Sequence, residues 1–428
     1  MALEKLKKLI FIFLLLFAIL YNTVAISQNN LISDIEINGL KKTSKLTVLK
    51  FLETKKGQVL DSALLSKDII ALKKLPAFSN AYFTVKKLLE NKYLLVISVE
   101  ENFTLIPVIN LWSTTNKKLA YKVGLNEYNF LGKHIALEGY YQRNVFNSYG
   151  LNFKAPMLFS KRIGLAFYHQ NWISEEPLYF NSQSANYRYQ NISFEALLLF
   201  KYNFKNNLDF GLNFFKEKYL YLNGHISSDI PQRVDADKKL LKLVYTFDNL
   251  DYFYHYVSGF KNQFYGQYVT TETPFQDDFL IAWNDFFYFK RIGENGNWAN
   301  RFRFGLSSNY EAPFAPFALD NNINLRGVGI LVDRGTGSVV WNTEYRHTLY
   351  QKRWFVLQGN IFADSGTWRL PGGKLTDFVK NENIRVYSGI GLRFISKKIF
   401  NAIFRIDYGY GLTKNASKGF VFGIGQYF

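Results

Sequence analysis

Phe400-Asn401-Ala402-Ile403-Phe404-Arg405-Ile406-Asp407-Tyr408-Gly409-Tyr410 alternates with a period of two. Phe400, Ala402, Phe404, Ile406, Tyr408 and Tyr410 share one face, while Asn401, Arg405 and Asp407 share the other. Successive strand residues point to opposite faces, so this is a strand with one apolar and one polar side. Its length matches the roughly 9–11 residues a tilted strand needs to cross a bilayer. A soluble sandwich shortens its strands and keeps aromatic rings off its solvated face. The rings here repeat on one face.

The same pattern extends in both directions. Ile384, Val386, Ile390 and Leu392 oppose Arg385, Tyr387 and Arg393, and Phe302, Phe304 and Leu306 oppose Arg301, Arg303 and Gly305. Alternating runs fall near 105–113, 119–128, 134–144, 148–156, 161–171, 185–203, 206–221 and 238–248. Others fall near 253–269, 276–291, 299–309, 338–349, 354–364, 384–394, 400–411 and 418–428. That is sixteen, an even number, as antiparallel closure requires; Ala196–Phe200 breaks the alternation, which leaves counts of fourteen and eighteen open. The expected fold is a transmembrane antiparallel β-barrel over 104–428. Closure leaves no backbone edge exposed to lipid. Short turns alternate with longer insertions at 172–184, 222–237 and 310–337, and the longer set belongs on the cell exterior.

Composition agrees with this. The chain has 428 residues, with 41 Phe, 29 Tyr and 7 Trp, yet its mean hydropathy is only -0.11. Membrane barrels combine these features because only alternate residues face lipid. The net charge of +18 is scattered through the alternating runs, with no basic helix or compact patch. It is read as solvated loops and a polar lumen, not as a nucleic-acid surface. The chain has no cysteine, which excludes disulfides, thiolate chemistry and a lipoprotein anchor.

Ahead of the barrel, residues 1–27 read as a secretory leader. Lys5, Lys7 and Lys8 precede the apolar run Leu9–Leu20, and Ala25-Ile26-Ser27 offers small residues for cleavage before Gln28. Residues 28–103 read as a small β-α-α-β-β domain. Ile35 and Ile37 mark a strand, and Asn38-Gly39 a turn. Leu46, Val48, Leu49 and Leu52 mark a helix that Lys56-Gly57 should end. Asp61 caps a second helix that Pro76 stops, and strands follow at 78–85 and 93–99.

The loop at 310–337 carries Leu325-Arg326-Gly327-Val328. On the next two runs, alternation turns Glu344 inward with Asn342 and Arg346. It likewise turns Phe362 and Asp364 inward with Asn360. An arginine entering the lumen could bind either acid through its bidentate fork. Gly327 lets the loop backbone approach the wall. Gly366 lies just beyond Asp364. On the last run Phe420, Phe422, Ile424 and Phe428 share an apolar face. Gly419, Gly423 and Gly425 leave that strand with few side chains to pack.

This ensemble resembles the outer-membrane assembly-factor superfamily, which includes BamA-type insertases and two-partner secretion transporters. The small domain resembles one POTRA module through Ile35-Glu36-Ile37-Asn38-Gly39, Gly57, Leu75–Phe78 and Val99-Glu100. Glu127–Gly132 resembles the family's early barrel turn. Leu325-Arg326-Gly327-Val328 is similar to the sixth-loop motif, with Val328 in place of an aromatic. Phe362-Ala363-Asp364-Ser365-Gly366 resembles the Phe-x-Asp-x-Gly element, and Glu344 matches the acid on the preceding strand. The resemblance implies a luminal plug held by Arg326 and a weak seam between the first and last barrel strands. It also implies an aromatic assembly signal at Phe428.

The expected function is insertion of outer-membrane proteins or passage of polypeptide, without covalent chemistry or cofactors. The partners are an extended client polypeptide, outer-membrane lipids, and periplasmic or lipoprotein accessories. The small domain would face the periplasm. One POTRA module is few for a central insertase, so a dedicated secretion or accessory surface role stands beside it. The rivals are a porin-like diffusion channel and an outer-membrane hydrolase. His134, His169, His225, His255 and His347 sit in no nucleophile or metal motif, which leaves the hydrolase without support.

Overall fold

The computed structural model describes residues 30–428 except 114–118, 181–182, 229, 273–276, 310–313, 321–323, 329–332, 401 and 415, and the backbone alone at 111–113 and 119–120. The expected leader at 1–27 lies outside the described residues.

The small domain is β1 (Leu31–Asn38), α1 (Lys45–Phe51), α2 (Ser62–Lys73), β2 (Phe78–Leu89) and β3 (Lys92–Glu101). Its sheet order is β1-β3-β2, with β1 parallel and β2 antiparallel to β3. The apolar stripes of both helices meet the sheet in a core of Ile32, Leu52, Leu65, Leu72, Leu95 and Ile97, each at most 1% exposed. Asp61 caps α2, accepting from the amides of Ala63 (2.8 Å) and Leu64 (3.1 Å). Gly57 does not end α1: the helix stops at Phe51, and Gly57 (φ +86°) lies in the turn beyond. Buried Asp68 explains that turn, because its carboxylate accepts the amides of Glu53 and Thr54, both at 2.9 Å.

The barrel sheet has sixteen strands in sequence order. They are β4 (Leu105–Ser113), β5 (Leu119–Phe130), β6 (Ile135–Arg143), β7 (Asn147–Ala155), β8 (Ile163–Phe180), β9 (Gln183–Lys201), β10 (Asn206–Gly224) and β11 (Arg233–Phe253). β12 (Tyr256–Thr271), β13 (Phe279–Ile292), β14 (Gly296–Ser307), β15 (Gly337–Lys352), β16 (Phe355–Arg369), β17 (Ile384–Ser396), β18 (Ile403–Gly411) and β19 (Lys418–Ile424) complete it. All neighbouring pairs are antiparallel. The outward face is apolar: Phe210, Leu212 and Phe214 on β10 are each close to half exposed, as a lipid belt requires.

Two expected insertions are shorter than their sequence suggests. β8 and β9 pair as far as Phe180 with Gln183, so 172–184 is mostly strand. β10 and β11 likewise leave only 225–232 between them. Beyond the lipid, outward positions need not be apolar, so these strand ends lose the alternation that marks them in the sequence. The run Ala196–Phe200, which breaks the polar alternation, remains in β9. Leu197 and Leu199 face inward and pack with Ala166 and Tyr168.

The ring is nearly closed. Among the described residues no ladder pairs β4 with β19. At that edge Phe103 instead bonds the turn before β18. Its amide donates to the Lys398 carbonyl (2.9 Å), and its carbonyl accepts from Phe400 (3.0 Å). The small domain sits across the same end of the barrel. Lys73 meets Asp251 (2.5 Å), Lys74 meets Asp248 (2.8 Å), Lys161 pairs with Glu53, and Lys50 donates to the Met157 carbonyl (2.8 Å). Between them lies a luminal cavity of about 970 Å³, lined by Phe51, Leu75 and Pro76 from the small domain.

Candidate functional site

β15 and β16 pair so that Asn342 lies opposite Asp364, Glu344 opposite Phe362, and Arg346 opposite Asn360. All six side chains are buried in the lumen. Their outward neighbours Trp341 and Ile361 are 50% and 61% exposed. The register therefore stacks two carboxylates on one inner wall.

The loop between β14 and β15 folds down onto that wall. Within it Phe317–Ala318 pair with Arg334–Gly335. Arg326 is fully buried. Its Nε donates to Asp364 Oδ2 (2.8 Å) and its Nη2 to Asp364 Oδ1 (2.9 Å), a bidentate fork. Its Nη1 donates to Glu344, and its backbone amide reaches Asp364 Oδ2 at 3.0 Å. The guanidinium lies 3.7 Å from the Phe362 ring centre and 4.5 Å from that of Tyr427, held between two aromatic faces.

Loop geometry depends on glycine. Gly327 has φ +94°, and a Cβ there would lie 2.7–2.9 Å from the Gly409 backbone on β18. Leu325 and Val328 are buried with Leu319, Val340, Trp368 and Tyr387. A side chain at Gly366 would meet Leu325 at 3.0 Å, so this glycine makes room for the motif. Asn324 links the loop to β14, accepting from Arg301 (2.9 Å) and Arg303 (3.3 Å). At the outer rim Asp333 pairs with Arg385 at 3.0 Å. Burial pushes the Asp333 carboxyl above its ordinary range, and Arg385 opposes that shift.

The cluster extends past the residues singled out in the sequence. Glu344 also binds Arg346 and, at 3.2 Å, Arg393. Arg393 reaches Asp407 at 3.1 Å, and Arg405 reaches the same carboxylate at 3.2 Å. Four arginines thus interleave with three carboxylates. Alternation placed Arg393, Arg405 and Asp407 on a polar face, but nothing local to them pointed to the loop.

The last residues differ from expectation. β19 ends at Ile424, and Gly425 (φ +91°) turns the chain inward. Phe428 is therefore not on the outer apolar face with Phe420 and Phe422. It packs in the lumen against Leu250, Phe289 and Ala299, and its carbonyl accepts from Arg346 at 3.2 Å. Gln426 accepts from Arg393 at 2.9 Å. Gly423 leaves the space that the Arg405 guanidinium fills, 2.7 Å from where a Cβ would sit. Gly419 has open space around it.

The histidines are dispersed. Among the described residues no group of three or more His, Asp or Glu side chains is placed to hold a metal ion. His255 sits in the β11–β12 turn, 3.1 Å from Thr348 Oγ1, and burial pushes its imidazole down to about 4.

A small two-helix domain docked on a near-closed sixteen-strand barrel, with an inward loop clasped to the wall, defines a POTRA-plus-barrel fold. Residues 31–102 match the POTRA family model, described as a surface antigen variable number repeat. Three solved structures share this fold over most of the chain. BamA from Haemophilus ducreyi lacking POTRA domains 1–3 aligns with a TM-score of 0.55 and 15% identity, covering 92% of this chain and 84% of that one. CdiB from Acinetobacter baumannii aligns with a TM-score of 0.56 and 13% identity, covering 92% and 73%. CdiB from Escherichia coli aligns with a TM-score of 0.59 and 9% identity, covering 93% and 77%. The chain has the fold of these BamA and CdiB barrels, with a POTRA domain at its front. No curated protein matched its sequence.

Proposed function

We propose that this chain handles polypeptide at the bacterial outer membrane, inserting client proteins or passing them across, without covalent chemistry. Residues 1–27 act as the leader, 28–103 form the periplasmic domain, and 104–428 form the barrel. The observation that carries the reading is a lumen stoppered at both ends beside a seam where, among the described residues, no ladder forms. Arg326 holds the loop in the outer half, and the POTRA domain caps the inner mouth.

A client strand gains backbone hydrogen bonds at an unpaired barrel edge that it would otherwise lose to lipid. Gly419 and Gly423 give β19 few side chains of its own to resist such an exchange, Gly425 ends the strand by turning the chain inward, and Phe428 marks the strand for assembly. The free edge of β2 offers an extended client a first site by strand addition. Periplasmic or lipoprotein accessories would deliver that client. Leu325, Arg326, Gly327 and Val328 form the plug motif, and Glu344, Phe362, Asp364 and Gly366 form its wall.

The test is reconstitution. Full-length protein in liposomes should speed insertion or passage of an unfolded barrel client. Photo-crosslinkers on β2 and β19 should trap that client. No acceleration beside a working positive control would overturn the insertase form. A large, steady single-channel current would favour a porin instead.

A further inference from the structure

We propose that the loop between β16 and β17, residues 370–383, is an interfacial foot that rests in the outer leaflet, with Leu375 and Val379 among lipid acyl chains. The inference rests on the outer-membrane reading above. This loop lies on the same side of the barrel as the plug loop, opposite the POTRA domain.

The loop is built inside out for a segment in water. Its 3₁₀ turn Leu375–Val379 buries the acid Asp377 at 2% exposure, while Leu375 and Val379 stand 61% and 77% exposed. Asp377 is held by Lys380 (2.7 Å), and its carbonyl accepts from Asn383 (3.1 Å). The loop is thus fixed in this orientation by its polar groups.

The loop also folds outward, not over the lumen. The Phe378 ring lies 6.4 Å from that of Phe304, a lipid-facing residue of β14. The Phe378 carbonyl accepts from outward-facing Thr367 at 3.0 Å. Gly337 provides the seat, since a Cβ there would come within 2.9 Å of the Phe378 ring. Phe378 thus joins the foot to the lipid belt at Phe304 of β14, with Leu375 and Val379 exposed on the same short turn. Lys374, Lys380 and Glu382 stay exposed beside it, in keeping with a segment at the boundary between head groups and acyl chains. Lys380 pairs with Asp377, and Lys374 offsets Glu382, so the foot has no net charge and its partner is the apolar interface.

The chain contains no cysteine, so a single introduced thiol reports one place. Full-length Val379→Cys, Ile361→Cys and Lys414→Cys variants would carry an environment-sensitive fluorophore in phosphatidylcholine vesicles. Quenching would be compared between lipid nitroxides and aqueous iodide. Ile361 faces lipid in mid-wall, and Lys414 is exposed on the neighbouring rim loop. The expected result is a Val379 label quenched several-fold more by a shallow lipid nitroxide than the Lys414 label, and shielded from iodide. A Val379 label behaving like Lys414 while Ile361 is quenched by lipid overturns the foot alone. An Ile361 label open to iodide overturns the membrane reading, and the foot with it.

Discussion

Replacing Arg326 with alanine should strip one carboxylate of its counter-charge and leave the others paired. Asp364 loses its bidentate fork and keeps Asn342 (2.9 Å) and the residue-326 amide. Glu344 keeps Arg346 and Arg393, and Asp407 keeps Arg393 and Arg405. Removing one partner of a buried ion pair costs about 3–5 kcal/mol, because the other charge is left desolvated. The arginines left around Glu344 put Arg326→Ala near the lower figure, about 3 kcal/mol, or roughly a hundredfold in the clasped-to-released ratio of the loop. The double-mutant cycle sharpens this. In an Asp364→Asn background there is no orphan carboxylate, so Arg326→Ala should cost less than half as much. Arg326→Lys keeps a charge but neither the fork nor the flat face between Phe362 and Tyr427, and should fall between.

Urea unfolding of the refolded barrel, protease nicking of residues 314–328 and single-channel conductance would read the effect. We expect earlier unfolding, faster nicking and larger, noisier currents for Arg326→Ala. Equal values for wild type and Arg326→Ala, or a full additive loss in the Asp364→Asn background, would refute the clasp.

Gly327→Ala should also release the loop, by about 1–3 kcal/mol, since φ +94° is strained for alanine and its Cβ meets the Gly409 backbone; loop proteolysis reads this, and Gly409→Ala on top should add little. POTRA docking should be salt-sensitive. Its ion pairs are partly exposed and worth at most about 1 kcal/mol each, so a bifunctional maleimide should bridge a Lys50→Cys/Met157→Cys pair more slowly at 1 M salt or with Lys74→Glu. His255 is neutral in the fold, with its imidazole down at about 4. Its contribution is therefore present above pH 6.5 and lost as pH falls toward 4. Wild type should lose roughly 2 kcal/mol from this site between pH 7 and 5, and His255→Asn should flatten that part of the urea-midpoint profile.

Much of this fold is legible because a lipid-facing wall forces strict alternation. The same rule that puts Phe404 outward puts Arg405 and Asp407 inward, and it sets the faces of Glu344 and Asp364 before any contact is known. The rule fails where lipid stops. Above the membrane Pro177 and Glu176 still sit in β8, paired with Asn186 and Tyr187, but the run Ser174-Glu175-Glu176-Pro177 has no alternation to announce them. It fails too where the chain leaves the sheet. Gly425 breaks the register, and a reading that continues it sends Phe428 to the wrong side. Contacts between the POTRA domain and the barrel, such as Lys42 with Glu127 and Lys73 with Asp251, join residues 85 to 178 positions apart and leave no periodic trace.

The arginine clasp does more than occupy the lumen, because it also touches the edge that closes the ring. Gly327 abuts Gly409 on β18, and Ser417, just before β19, donates to the carbonyls of Gly327 (2.9 Å) and Val328 (2.6 Å). Beyond β19, Tyr427 lies over Arg326 itself. The loop thus braces one side of the seam from within, and no described contact ties it to β4 on the other side. If the clasp sets the strength of the seam, releasing it should act unevenly. In Arg326→Ala, amide exchange should quicken across β18 and β19 while β5 and β6 keep wild-type protection. Uniform quickening around the whole barrel would mean that Arg326 supports overall stability only, and that the plug and the seam move independently.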